Sequence, residues 1–168
     1  MAIEIDDLTG IGPYSVYPRS SGMEVNQVCN LTGGPYKFDN YKARGRVVFL
    51  NKPPMCQYRA VGHPIAITVT EGLVEMAASA INMESMKMRK LNMVADDDYP
   101  NKTVSGIPLE NLSHQASTDK LMEMVNYKEI RDEQKQLRKE GIYRSCLSKH
   151  FTQALYTSTL HKHFIQAL

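Results

Sequence analysis

Tryptophan is absent from this 168-residue chain, and cysteine is scarce: Cys29, Cys56 and Cys146 are odd in number and widely separated. With no CxxC pair and no Cys/His grouping at ligand spacing, the sequence offers neither a disulfide framework nor a zinc site. Long apolar runs are also missing. Nothing approaches the roughly 18 residues that a membrane span needs, so no membrane partner is expected. The opening MAIEIDDLTG is acidic and lacks the basic and apolar regions of a signal peptide. Strong charge of either sign is lacking too. A net charge of +2 creates no field that would mark nucleic acid as a partner. These absences point to a reducing cytoplasm.

The bulk of the chain is ordinary. Hydrophobic residues make up 42% and charged residues 23%, as in a globular protein about one domain long. Methionine is plentiful, with Met83, Met86 and Met88 close together, and is read as adaptable core filler.

Residues 1–40 are rich in Gly, Pro, Asn, Ser and Tyr, and are expected to form turns and short extended pieces with little helix. Tyr41–Asn51 has the β-branched and aromatic content of a strand, ended by Pro53 and Pro54. A helix opened by Pro64 follows, with an apolar stripe of Ala66, Val69, Leu73, Met76, Ala77 and Ala80. Asn82 is placed to cap a second helix that has Glu84 in its first turn. Residues 95–115 read as loop. Ser117 or Thr118 then caps a helix carrying Leu121, Met124 and Val125. Asn126 begins a charged helix, of alternating sign and solvated, that Gly141 terminates. The whole predicts an α+β fold of short β-strands, three to four helices and extended loops.

After Arg144 the character changes. Residues 145–168 hold no Asp or Glu, carry His150, His161 and His163, and repeat KHFTQAL as KHFIQAL. No carboxylate or thiolate pair accompanies the histidines at ligand spacing, so the stretch is read as a non-native tail, frameshifted or disordered, with no metal site assigned.

The densest concentration of unusual residues is the loop QYRAVGHP, Gln57–Pro64. Ala60 and Gly62 are small enough for another group to approach the main chain. Arg59 offers a planar fork of donors for oxyanions, and the start of the next helix favours negative charge. An anionic or oxo-bearing ligand would suit these features, although a simple connecting turn also satisfies them. His63 has no second ligand at helical spacing and reads as a polar loop residue.

The ordered run RGRVVFLNKPPMCQYRAVGHPIAITVTEGLVEMAASAINMESMKMRKLNMV resembles the molybdenum-binding large subunit of molybdenum hydroxylases, which include xanthine dehydrogenases, aldehyde oxidases and carbon monoxide dehydrogenases. Asn51 and Pro54 fit a T-N-x-x-P motif. Tyr58, Arg59, Gly62, Pro64 and Ala66 fit a Y/F-R-G-x-G-x-P-x-A loop. Glu71 and Glu75 fall on the E-R-x-x-D helix signature, and Arg89 and Asn92 match the closing R-x-x-N. The resemblance covers about residues 6–144 and implies a partial molybdopterin-binding domain over 1–144.

What the resemblance implies is oxidation of an aldehyde or N-heterocycle with water-derived oxygen. Electrons would leave through iron–sulfur and flavin domains or subunits, in an assembly with a second copy of the subunit. Tyr58, Arg59 and Ala60 would lie against the molybdopterin, possessed in some members as the cytosine dinucleotide, with Val61 toward substrate. Ala60 stands in place of the family's glycine, and of the cysteine of copper-dependent carbon monoxide dehydrogenases, which argues against that activity. Val61 stands where purine-oxidising members place a phenylalanine, so a flat purine is disfavoured. Gly72 and Glu75 replace the arginine and aspartate of E-R-x-x-D. The glycine-rich cofactor segment and the catalytic glutamate of the family have no counterpart here. The resemblance therefore implies an interior portion that binds cofactor only in a full-length subunit and is inactive alone; the alternative is a non-catalytic subunit-interaction module of the same descent.

Overall fold

A computed structural model describes residues 1–14, 22–55 and 58–144. Two compact units, Met1–Gln115 and Ala116–Leu168, divide the chain. The histidine-bearing tail and Cys56, Gln57 and Cys146 lie outside the described residues.

In the first unit, β1 (Ala2–Ile11) and β2 (Asn40–Phe49) run parallel, in register from Ala2 opposite Asn40 to Ile11 opposite Phe49. Parallel strands need a crossover, and α1 (Met23–Leu31) supplies it. β1 is longer than the short extended pieces expected over residues 1–40, and α1 falls where little helix was expected. The physical reason is that their stabilisation is tertiary. Gly22 heads α1 with no side-chain cap, and the helix is held by burying Val25 and Val28. A Cβ on Gly45 of β2 would lie 2.8 Å from Val25 Cγ2 and 3.2 Å from Cys29 Sγ, so the glycine lets α1 sit directly on the strand. Ile3 and Ile11 are the buried ends of β1.

From β2 the chain passes Pro53 and Pro54 into α2 (His63–Ala80). The buried positions of α2 are Ala66, Thr70, Val74 and Ala78, a narrow row at four-residue spacing. Of the expected stripe only Ala66 is buried; Val69, Leu73 and Met76 are 36%, 41% and 69% exposed. Small size decides this. Ala66 and Thr70 allow close packing on α1, and Thr70 Oγ1 accepts the Gly33 amide at 3.0 Å. A pattern read from hydrophobicity alone passes over such a threonine.

At the end of α2, Asn82 takes φ +52, Met83 N donates to Ala78 O and Asn82 N to Ser79 O, which is a Schellman closure. Asn82 thus ends one helix instead of capping the next. The cap of α3 (Ser85–Asn92) is Glu84, whose carboxylate accepts the Lys87 amide at 2.8 Å. Beyond it lie a 3-10 turn (Asp96–Asp98) and a two-residue hairpin, β3 (Asn101–Lys102) with β4 (Pro108–Leu109), where loop was expected. Tyr36, Val74 and Met93 form a buried cluster, with Phe38 and Met88 packed against it.

Helix α4 (His114–Met124) begins three residues before Ser117. Its early amide at Gln115 is satisfied by the distant Asp96 carboxylate at 2.9 Å. In the second unit, α5 (Tyr127–Lys139) starts after Asn126 at φ +50 and buries Ile130. Gly141, φ +75, closes it by a second Schellman motif, Ile142 N to Leu137 O and Gly141 N to Arg138 O. The described residues therefore hold five helices, more than the three to four expected, within an α+β class. Among the described residues no single helix is long and apolar enough to cross a membrane; α2 and α3 meet the length and composition only as a pair bent by 115°.

Candidate functional site

The loop joining β2 to α2 emerges at the carboxyl end of the parallel pair, the end where open α/β arrangements place ligands. Its approach is set by Gly12, just beyond β1. A Cβ there would fall 2.5 Å from Pro54 Cα and 2.7 Å from Pro53 O, so the two prolines cross against bare main chain. The bend itself is Ala60–His63, closed by His63 N donating to Ala60 O at 2.9 Å. Ala60 and Gly62 both take positive φ, +62 and +72. Gly62 also has no room for a side chain: an added Cβ would stand 2.8–3.0 Å from Gln27 Cβ, Val28 N and Glu24 O of α1. The inner side of the bend is thereby clamped onto α1.

The outer side is open. Tyr58 is 91% exposed, Arg59 and Ala60 are exposed, and Val61 is half-buried. Among the described residues Arg59 has no ion pair. With the Ala60 carbonyl occupied by His63, the polar groups offered outward are the Arg59 guanidinium and the Tyr58 hydroxyl. The eighteen-residue α2 directs the positive end of its dipole at the same place. This is a geometry for receiving an anionic group. His63 is exposed at the head of α2, and among the described residues no group of three or more His, Cys, Asp or Glu side chains is placed to hold a metal ion.

Residues 1–93 match the family model described as the molybdopterin cofactor-binding domain. The chain belongs to that family. The gamma subunit of the 6-hydroxypseudooxynicotine dehydrogenase complex of Paenarthrobacter nicotinovorans is 27% identical over 136 residues, covering 76% of this chain. The nicotine 6-hydroxylase large subunit of the same organism is 28% identical over 135 residues, 79% of this chain. Among solved structures, quinoline 2-oxidoreductase from Pseudomonas putida 86 superposes with a TM-score of 0.75 at 26% identity, over 84% of this chain and 18% of its own. The chain spans 17% and 16% of the lengths of the two curated relatives.

Behind the bend, Glu71, Glu75 and Arg89 of the family signature come together. Arg89 Nε donates to Glu71 at 2.8 Å and its Nη1 to Glu75 at 3.0 Å, while Ser85 Oγ donates to Glu75 at 2.5 Å. The Tyr36 hydroxyl donates to Glu71 at 2.8 Å. Burial, then the Glu71 carboxylate, pushes the Tyr36 phenol well above its ordinary range. Sequence motifs pointed to the two glutamates and Arg89 but not to Tyr36. It lies 35 residues from Glu71, in a stretch read as turns. The group ties α2 to α3 and to the segment after α1, holding the helix whose first turn carries the bend.

Proposed function

We propose that this chain contributes one wall of the cofactor site in the large subunit of a molybdenum hydroxylase that oxidises an aldehyde or N-heterocycle, and that it is inactive alone. Tyr58, Arg59 and Ala60 would lie against the molybdopterin, whose bound molybdenum supplies the oxygen-transfer and redox chemistry, and Val61 would face substrate. The observation that carries this reading is the outward, left-handed bend at Ala60–Gly62, clamped on one side and open on the other. The residues present fit an anionic group: a surface guanidinium, a phenol and the head of a long helix, with Gly62 permitting the close turn.

In this reading Arg59 binds through charge-assisted hydrogen bonds. Val61 limits the pocket to substrates that do not require a stacking ring, and the methyl of Ala60 sets how closely the group approaches. The remaining walls, the iron–sulfur and flavin partners, and a second copy of the subunit belong to the longer protein, in the cytoplasm. The pterin would be held as its cytosine dinucleotide.

A chimaera tests this directly. Residues 1–144 would replace the matching stretch of the quinoline 2-oxidoreductase large subunit, and molybdenum content and aldehyde oxidation would be measured. Loading is expected, with a clear loss of molybdenum on Arg59→Ala. An unchanged molybdenum content in that variant would remove Arg59 from the site. Stoichiometric molybdopterin binding with turnover by the isolated chain would refute its being inactive alone.

A further inference from the structure

We propose that the free edge of β1 is a docking site for one added β-strand, supplied by polypeptide outside this chain and carrying a cationic side chain opposite Asp7. The inference is independent of any role for the Ala60 bend.

Two grooves of about 290 and about 470 Å³ lie between β1 and α2. On one side they are lined by residues 1–4 and 4–7 without interruption. Successive strand residues point to opposite faces, so a groove lined by every residue in a run follows the strand's edge. That edge is open, because β1 pairs only with β2 among the described residues. On the other side stand Ile65, Val69, Leu73 and Ala77, one straight row at four-residue spacing. Ile65 and Leu73 are each 41% exposed. Glu4 and Leu73 border both grooves, which makes them one channel.

The dimensions agree. From Ile65 to Ala77 a helix advances about 18 Å, and residues 1–7 of an extended chain advance about 20 Å. Either length accommodates roughly six residues of strand. Unpaired main-chain groups on one wall and an aliphatic row on the other are what β-strand addition uses: main-chain bonds for affinity, alternate side chains for selectivity.

Charge narrows the occupant. The β1 wall presents Glu4, Asp6 and Asp7. Glu4 and Asp6 are paired with Lys42 and Arg46, whereas the half-buried Asp7, near the Cys29 thiol, has no cationic partner among the described residues and accepts a long 3.4 Å bond from Thr9 Oγ1. A second copy offering its own β1 would set acid against acid. The curated relatives, of which this chain spans 17% and 16%, contain ample additional polypeptide to supply a strand with a basic residue there.

The test is amide hydrogen exchange on the full chain with the capped peptide Thr-Val-Thr-Ile-Thr-Val-Thr-Lys, and with its reversed sequence to cover either strand direction. At about four-fifths occupancy, exchange at alternate amides of residues 2–7 should slow about fivefold with one of the two peptides. A peptide with proline at alternate threonines should have no effect. Asp7→Asn should weaken binding about two- to fivefold, and Leu73→Asp, at an exposed position, should abolish it. The proposal is overturned if β1 exchange is unchanged, if the proline peptide acts equally, or if Asp7→Asn binds as well as the parent. Slowing produced by raising protein concentration without peptide would overturn it in favour of self-association.

Discussion

At the scale of single residues, two neighbours in the bend make opposite predictions. Gly62 needs its positive φ and the absence of a side chain against α1. Gly62→Ala should therefore destabilise the chain by about 2–4 kcal/mol, combining left-handed strain with overpacking, as read from urea denaturation. Ala60 carries left-handed strain at an exposed site. Ala60→Gly should relieve it, for a net gain of about 0.5–1 kcal/mol after the extra freedom of the unfolded glycine. Gly62 was legible in the sequence as part of a loop built from small residues. The conformation of Ala60 was not, since alanine rarely adopts it.

Tyr41 makes a pH prediction. Its hydroxyl donates to the Cys29 carbonyl, and burial, then the nearby Cys29 thiol, pushes its pKa up from 10.0 to about 12. A phenol raised in the folded state contributes stability that is complete below pH 10 and is lost as pH rises toward about 12. Melting temperature should fall across that window. The fall should be shallower in Tyr41→Phe, and an identical alkaline limb in both proteins would contradict the assignment.

Among elements, the tie between α2 and α3 rests on Arg89, whose side chain is 18% exposed and bridges two carboxylates. Arg89→Ala should cost about 1–3 kcal/mol, with allowance for the partly solvated glutamates. Arg89→Lys should recover only part of that, because an ammonium cannot span both partners in a planar fork. Equal denaturation midpoints for Arg89→Ala and the parent would show the bridge to be idle.

Elements with local signals were readable in advance. Proline stops β2 and opens α2, and Gly141 ends α5. Those that depend on distant partners were not. Helix α1 has no side-chain cap, α4 borrows Asp96 from 19 residues away, and the buried row of α2 is fixed by Thr70 meeting Gly33. The loop carrying the bend at Ala60–His63 was visible through the matches at Tyr58, Arg59, Gly62 and Pro64, whereas its support by Tyr36 became visible only in three dimensions.

For the whole molecule, the apolar surface of the first unit is the dominant fact. Val47 and Val48 are 38% and 37% exposed, Phe49 68%, Ile67 59% and Met76 69%. Burying such a side chain is worth about 1.5–3 kcal/mol, against a usual total stability of roughly 5–15 kcal/mol. The isolated chain should accordingly be marginally stable and prone to associate. The double variant Ile67→Lys/Met76→Lys should raise the monomer fraction in light scattering while changing the unfolding free energy by no more than about 0.5 kcal/mol. Reversible, cooperative melting at high temperature by the unmodified chain would contradict this.

The parallel pairing of β1 with β2 also governs how the chain acquires its shape. Every partner pair in that ladder is separated by the same span, 40 − 2 = 38 positions. No quick local hairpin can therefore start the sheet, and loop closure must precede any reward from strand contact. On the ribosome β1 would wait unmated while α1 and most of the intervening stretch are synthesised, a vulnerable interval for a bare strand. Slowing translation across residues 12–39 should lengthen that wait and increase the share of nascent chains captured by chaperones.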